Sequence, residues 1–134
     1  MHPVSRVAMA AALTLSAVSM LGHNLYELPL SPIDVENSGP MAFAFILGAA
    51  YALRPESKLV AAAALAWGVL NLVIGGIVTV LPLSILPFEP EQSMTHYGAH
   101  VVYAVGQLPL IVLAYRALRA PSAAADAAPS PRVP

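Results

Sequence analysis

Three histidines carry the clearest chemical potential in this chain. His96 and His100 stand four residues apart, the spacing at which a helix presents two imidazoles in the same direction, as a metal site needs. His23 is expected at the same side of the molecule. A third imidazole from that position would complete an open site for a transition metal such as Zn, Cu or Fe, with His23, His96 and His100 as its ligands. Alternatively, His100 and another histidine would hold a haem as an axial pair. The plainer reading is structural. His96 then stands at headgroup level beside Tyr97, and His100 is a neutral imidazole bonded across to Ser19 or Asn71. A proton relay or a small-ligand contact is the third reading.

A second polar group is expected deeper. His96, His100, Tyr103 and Gln107 are spaced by four, three and four residues, which sets them within about 60° of one another on a helix. Ser16, Ser19 and His23 form a comparable stripe, continued by Glu27 if the helix runs on. Trp67, read as packing, shares a face with Asn71. The intramembrane cluster is therefore Ser19, Asn71, Tyr103 and Gln107. Asn71 and Gln107 are predicted at similar depth, joined by an amide–amide hydrogen bond of about 1 kcal/mol or less. Glu27, Glu89 and Glu91 are expected as solvated loop acids.

Other chemistries find no support. The chain has no cysteine, which excludes disulfide exchange, Cys-ligated zinc and iron–sulfur clusters. It has no Ser/His/Asp arrangement, no His-Glu-x-x-His and no Gly-rich phosphate loop, so no catalytic residue is assigned. With a net charge of −1 and no basic patch, no nucleic-acid partner is expected.

The elements that must position these residues follow from composition. The 134 residues are 58% hydrophobic and 10% charged, with mean hydropathy +0.73. Soluble domains run near 25% charged. An all-α integral membrane protein follows, since lipid requires every backbone amide to be paired internally. Four spans are predicted, at about 4–25, 39–53, 58–81 and 95–118, within a transmembrane domain over 1–119. The second is the weakest, since about fifteen residues rise only ~22 Å against a hydrocarbon core of ~30 Å. Ser93 or Thr95 is expected to cap the fourth. The first resembles a signal peptide, but Met20-Leu21-Gly22-His23 is a poor cleavage site, and it is expected to be retained.

Charge placement orients the four-helix bundle. Arg6, Arg54, Lys58, Arg116, Arg119 and Arg132 fall on one side, and Glu27, Asp34, Glu36, Glu89 and Glu91 on the other. This positive-inside pattern predicts a multi-pass protein of the plasma membrane with both termini cytoplasmic. Residues 120–134, rich in Ala, Pro and Ser, are expected to form a disordered cytoplasmic tail. Small-residue stripes at Ala8/Ala12/Ser16, Ala44/Gly48/Ala52 and Ala64/Gly68/Gly76 mark the expected helix seams. They would also suit contacts with other membrane subunits or a second copy.

Three functions are compatible with these features. The first is a non-enzymatic structural or accessory subunit of a membrane assembly. The second is a metal- or haem-binding redox module built on the outward histidines. The third is a transporter of protons or small molecules, weakened because no charged residue is expected at the midplane.

Overall fold

The structure is a computed structural model describing residues 4–28 and 30–121. His2 and the predicted tail beyond Pro121 lie outside those residues. The described residues form four helices and no strand. Helix α1 spans Arg6–Glu27, α2 Val35–Leu53, α3 Lys58–Leu70 and α4 Met94–Arg119. Helix α3 continues as a π-helical segment, Asn71–Ile77, and a 3-10 turn, Val78–Val80. Three helical stretches, Arg6–Glu27, Lys58–Val80 and Met94–Arg119, are long and apolar enough to cross a membrane. Their exposed faces are apolar too, with Val101, Val105, Leu108 and Val112 turned outward on α4, as lipid contact requires.

Serines set three of the helix starts. The side chains of Ser5, Ser57 and Ser93 accept the amides of Ala8, Val60 and His96, each satisfying a donor that the first turn leaves unpaired. Ser93, not Thr95, therefore caps α4. At the opposite end, Lys58 donates to the carbonyls of Ala117 (3.0 Å) and Ala120. A cation thus closes the carbonyl end of α4, where the helix dipole favours positive charge.

Two predicted boundaries move. Helix α2 starts at Val35, four residues before Gly39, because Asp34 to Ser38 already make helical bonds. Its 19 residues rise about 28 Å. The third helix is not regular to its end. The Asn71 amide group donates to the Trp67 carbonyl at 2.8 Å, and Gly75 and Gly76 follow. A side-chain competitor and two residues of low helix propensity together accompany the wider π turn.

The packing order is α2–α1–α4–α3, with α2 meeting α3 only sparsely. Met9, Leu13, Leu47, Tyr51, Ala61, Ala64, Leu110 and Ala114 form one buried core at the level of the α2–α3 turn. The small-residue stripes serve these seams: Ala12, Ser16, Ala44, Ala64, Gly68 and Gly76 are buried. Ala52, predicted with them, is exposed.

Packing alone must hold this core, since lipid supplies no hydrophobic drive between helices. Replacing fully buried Leu110 (0% exposed) by Ala should therefore cost about 2 kcal/mol through the cavity left behind. Leu108→Ala, on the outward face, should be near neutral. Melting of both variants in the same detergent checks the contrast.

Candidate functional site

Helices α1 and α4 run antiparallel, and their polar stripes meet rung by rung. At the outer end His96 Nδ1 lies 2.7 Å from Glu27 Oε2. One turn deeper, His23 Nε2 lies 3.0 Å from His100 Nε2. Two turns further in, Gln107 meets Ser16 and Ser19. Beyond that the seam becomes apolar at Leu13, Leu110, Met9 and Ala114.

The inner rung is closed. Ser16 donates to Gln107 Oε1 at 2.5 Å. Gln107 Nε2 donates to the Ser16 carbonyl (3.3 Å), Ser19 Oγ (3.1 Å) and the Tyr103 carbonyl (3.2 Å). Asn71 is equally occupied, accepting from the Tyr103 hydroxyl at 2.6 Å while donating to Trp67. The predicted Asn71–Gln107 bond is not formed. Gln107 is taken up by the serines of α1, whereas Asn71 on α3 meets Tyr103, so α4 separates the two amides. The cluster Ser19, Asn71, Tyr103 and Gln107 thus resolves into two satisfied sets that act as interhelical ties.

The outer rungs are open. Among the described residues, the buried side-chain nitrogen and oxygen atoms without a hydrogen-bond partner are Glu27 Oε1, His96 Nε2 and His100 Nδ1. The Glu27 side chain is only 9% exposed and His100 only 4%. Glu27 is therefore not a solvated loop acid. It is the last residue of α1, which runs two residues past its predicted end and carries the carboxylate onto His96.

Two asparagines missing from the sequence reading orient His23. The Ser31 carbonyl can only accept, so the bond to Asn37 (2.8 Å) places the Asn37 NH2 there. Asn37 Oδ1 then accepts from Asn24 Nδ2 at 2.9 Å. That leaves Asn24 Oδ1 to accept from His23 Nδ1 at 3.1 Å. His23 thus carries its proton on Nδ1 and a lone pair on Nε2. His100 then donates to that lone pair from Nε2, which leaves its Nδ1 without a hydrogen-bond partner, with the backbone of Gly75 and Gly76 beside the ring. On the outer rung the Glu27 carboxylate accepts from His96 Nδ1. The partnerless atoms are thus one carboxylate oxygen and two imidazole nitrogens. Asn37, fully buried at the start of α2, offers a weak sequence signal as the one amide beside the predicted second span.

The histidines are brought together as expected, with ring centroids 4.3 Å apart for His23–His100, 4.5 Å for His96–His100 and 6.3 Å for His23–His96. As the side chains stand, no three His, Asp or Glu residues among those described form a metal-holding group. Nor does the His23–His100 pair straddle a haem iron. Two metal–nitrogen bonds of about 2 Å in line would hold the nitrogens ~4 Å apart, and they are 3.0 Å apart.

The open rungs face a chamber of about 760 Å³. Glu27, His96, His100 and Tyr103 line one side; Met20, Trp67, Leu70 and Ile74 form apolar walls; Phe88, Glu89 and Glu91 stand at its mouth. Below it, the rings of Phe43 and Trp67 meet at 4.7 Å between α2 and α3. No protein-family model, no curated protein and no solved structure matches this chain.

Gly75 lets Tyr103 reach Asn71, because a Cβ there would fall 2.5–2.8 Å from the Tyr103 hydroxyl and ring. Gly75→Val should displace the ring, break the tie and cost about 1–3 kcal/mol. Gly98→Ala, with nothing within 4 Å of the new Cβ, should be silent. Thermal melting separates the two.

Proposed function

We propose that this protein is a four-span membrane protein, both termini cytoplasmic, that works as a cation-binding module in the outer half of its bundle. The observation that carries this reading is the set of three partnerless, buried polar atoms at one chamber wall: Glu27 Oε1, His96 Nε2 and His100 Nδ1. A buried polar atom left unmatched costs about 1–3 kcal/mol, and a cationic group in the chamber would relieve the carboxylate oxygen first. The lining also includes Glu89 and Glu91 but no Lys or Arg, so the local charge has one sign.

The distribution of polarity favours binding over conduction. On α4 the chamber is lined no deeper than Tyr103, and past the closed Gln107 rung the apolar core from Leu13 to Met9 fills the seam. A purely accessory role accounts for the satisfied inner ties but leaves the open outer rungs without a purpose. A second reading, a transition metal, is favoured by one distance. Two imidazole nitrogens on a tetrahedral metal stand ~3.3 Å apart, close to the 3.0 Å between His23 and His100. His96, held through Nδ1 by a carboxylate in the manner common around metal-ligating histidines, would have to turn Nε2 towards them.

The four-span topology rests on the positive-inside pattern together with the length of α2. Because the chain has no cysteine of its own, single replacements report cleanly. Ser84→Cys should be labelled by an impermeant maleimide from outside intact cells, and Glu56→Cys only after lysis. Labelling of both from outside would overturn the topology.

For binding, the melting temperature of the detergent-purified protein should rise with one or more cations from a set comprising Zn2+, Cu2+ and an alkylammonium. At a concentration 100-fold above Kd, linkage gives about 2.7 kcal/mol of stabilisation. The His96→Ala/His100→Ala double variant should lose the response. A flat response of the wild type to every cation would return the chain to an accessory role.

A further inference from the structure

The chamber's shape selects among cations, and we infer that its occupant is a lipid-soluble primary amine, with the ammonium at Glu27, His96 and His100 and the hydrocarbon tail between α2 and α3. This inference rests on the reading of the chamber as a cation site and names the class of ligand. An ammonium head offers three N–H donors and one positive charge. The wall offers the free oxygen of a carboxylate and two imidazole nitrogens without partners. A charge-assisted hydrogen bond from the ammonium to Glu27 forms within a low-dielectric site, where such pairing is strongest.

The apolar walls account for the tail. A hydrated metal ion or a small inorganic cation needs neither 760 Å³ nor a lining of Met20, Leu70, Ile74 and Trp67. Helix α2 packs on α1 and leaves α3 with little cover, so Leu70 and Ile74 are 53% and 48% exposed at the chamber's edge. In a bilayer those side chains meet lipid. An amphipathic amine partitioned into the outer leaflet can slide its tail along this edge while its head reaches the histidines. The Phe43–Trp67 ring pair stands beneath the chamber and limits how deep the tail descends.

Trp67 is the one tryptophan of the chain and lines the chamber, so it reports occupancy directly. The experiment follows its fluorescence in the full-length protein, in neutral-lipid nanodiscs, with n-decylamine, n-decanol, n-decanoate and ZnCl2 as separate probes. Decylamine is expected to give a saturable change, and decanol and decanoate none at equal membrane concentration. Glu27→Gln should weaken decylamine binding about tenfold or more. Ile74→Phe, which narrows the apolar side without touching the partnerless polar atoms, should weaken decylamine and leave the Zn2+ response of the melting temperature unchanged. If Glu27→Gln does not fold, the probe series and Ile74→Phe decide.

Equal responses to decylamine and decanol would overturn the inference, since the chamber would then be sorting tails and not charge. A Zn2+ response without a decylamine response would overturn it while leaving the cation-binding reading intact. Silence to decylamine together with a melting temperature flat to Zn2+ and Cu2+ would overturn both.

Discussion

The seam between α1 and α4 changes character halfway along, and the other elements are arranged around that change. In lipid, two apolar helix faces gain little by meeting, because hydrocarbon chains solvate leucine as well as another helix does. Specific pairing must then come from close packing and from polar groups that have nowhere else to bond. The Ser16–Gln107–Ser19 knot provides this. It lies where the seam passes from polar to apolar, with every donor and acceptor of the Gln107 amide in use. A slip of register between the helices would carry that amide away from Ser16 and Ser19, its partners on α1. The register that aligns Glu27 with His96 and His23 with His100 is the one that this knot selects.

The remaining helices complete the outer rungs without closing them. From α2, Asn37 reaches Asn24 and through it sets the proton of His23. From the third helix, the π segment brings Asn71 against Tyr103, with Gly75 giving room for the ring. Each contribution fixes a side chain next to the chamber while leaving the chamber volume free. A regular α-helix through Gly75 and Gly76 would give the residues beyond Asn71 a different rotation about the axis. Pi segments of this kind recur at functional sites, and this one borders the chamber through Asn71, Ile74 and Gly75.

Much of this arrangement was legible in residue spacing. The four-three-four interval from His96 to Gln107 is a single-helix property, and all four residues are buried on one face. The matching stripe Ser16–Ser19–His23 on α1 was legible for the same reason. What spacing does not carry is the choice of partner across helices. Asn71 and Gln107 have matching depth and chemistry, yet depth says nothing about which side of α4 each faces, and they bond elsewhere. The fate of Glu27 depended on two residues of helix beyond the predicted end of the first span, which hydropathy does not determine for a charged residue at a helix end. The role of Asn37 was hidden because its partners, Asn24 and Ser31, belong to segments joined only in the fold.

The contrast between the inner and outer rungs bears on purpose more directly than any single residue. Both are built from the same two helices, α1 and α4. At the inner rung, short serines and one amide saturate each other, which is the economical way to bind helices in lipid. At the outer rung, three imidazoles and a carboxylate are joined by a carboxylate–imidazole contact, an imidazole–imidazole contact and an asparagine relay, and three of their buried atoms are left without a partner. If the outer histidines served only as ties, a Ser or Gln at His100 would satisfy its neighbours with fewer unmatched polar atoms. Two unpartnered ring nitrogens, one unpartnered carboxylate oxygen and an apolar-walled space beside them make sense for a partner that brings positive charge and is not itself part of the chain.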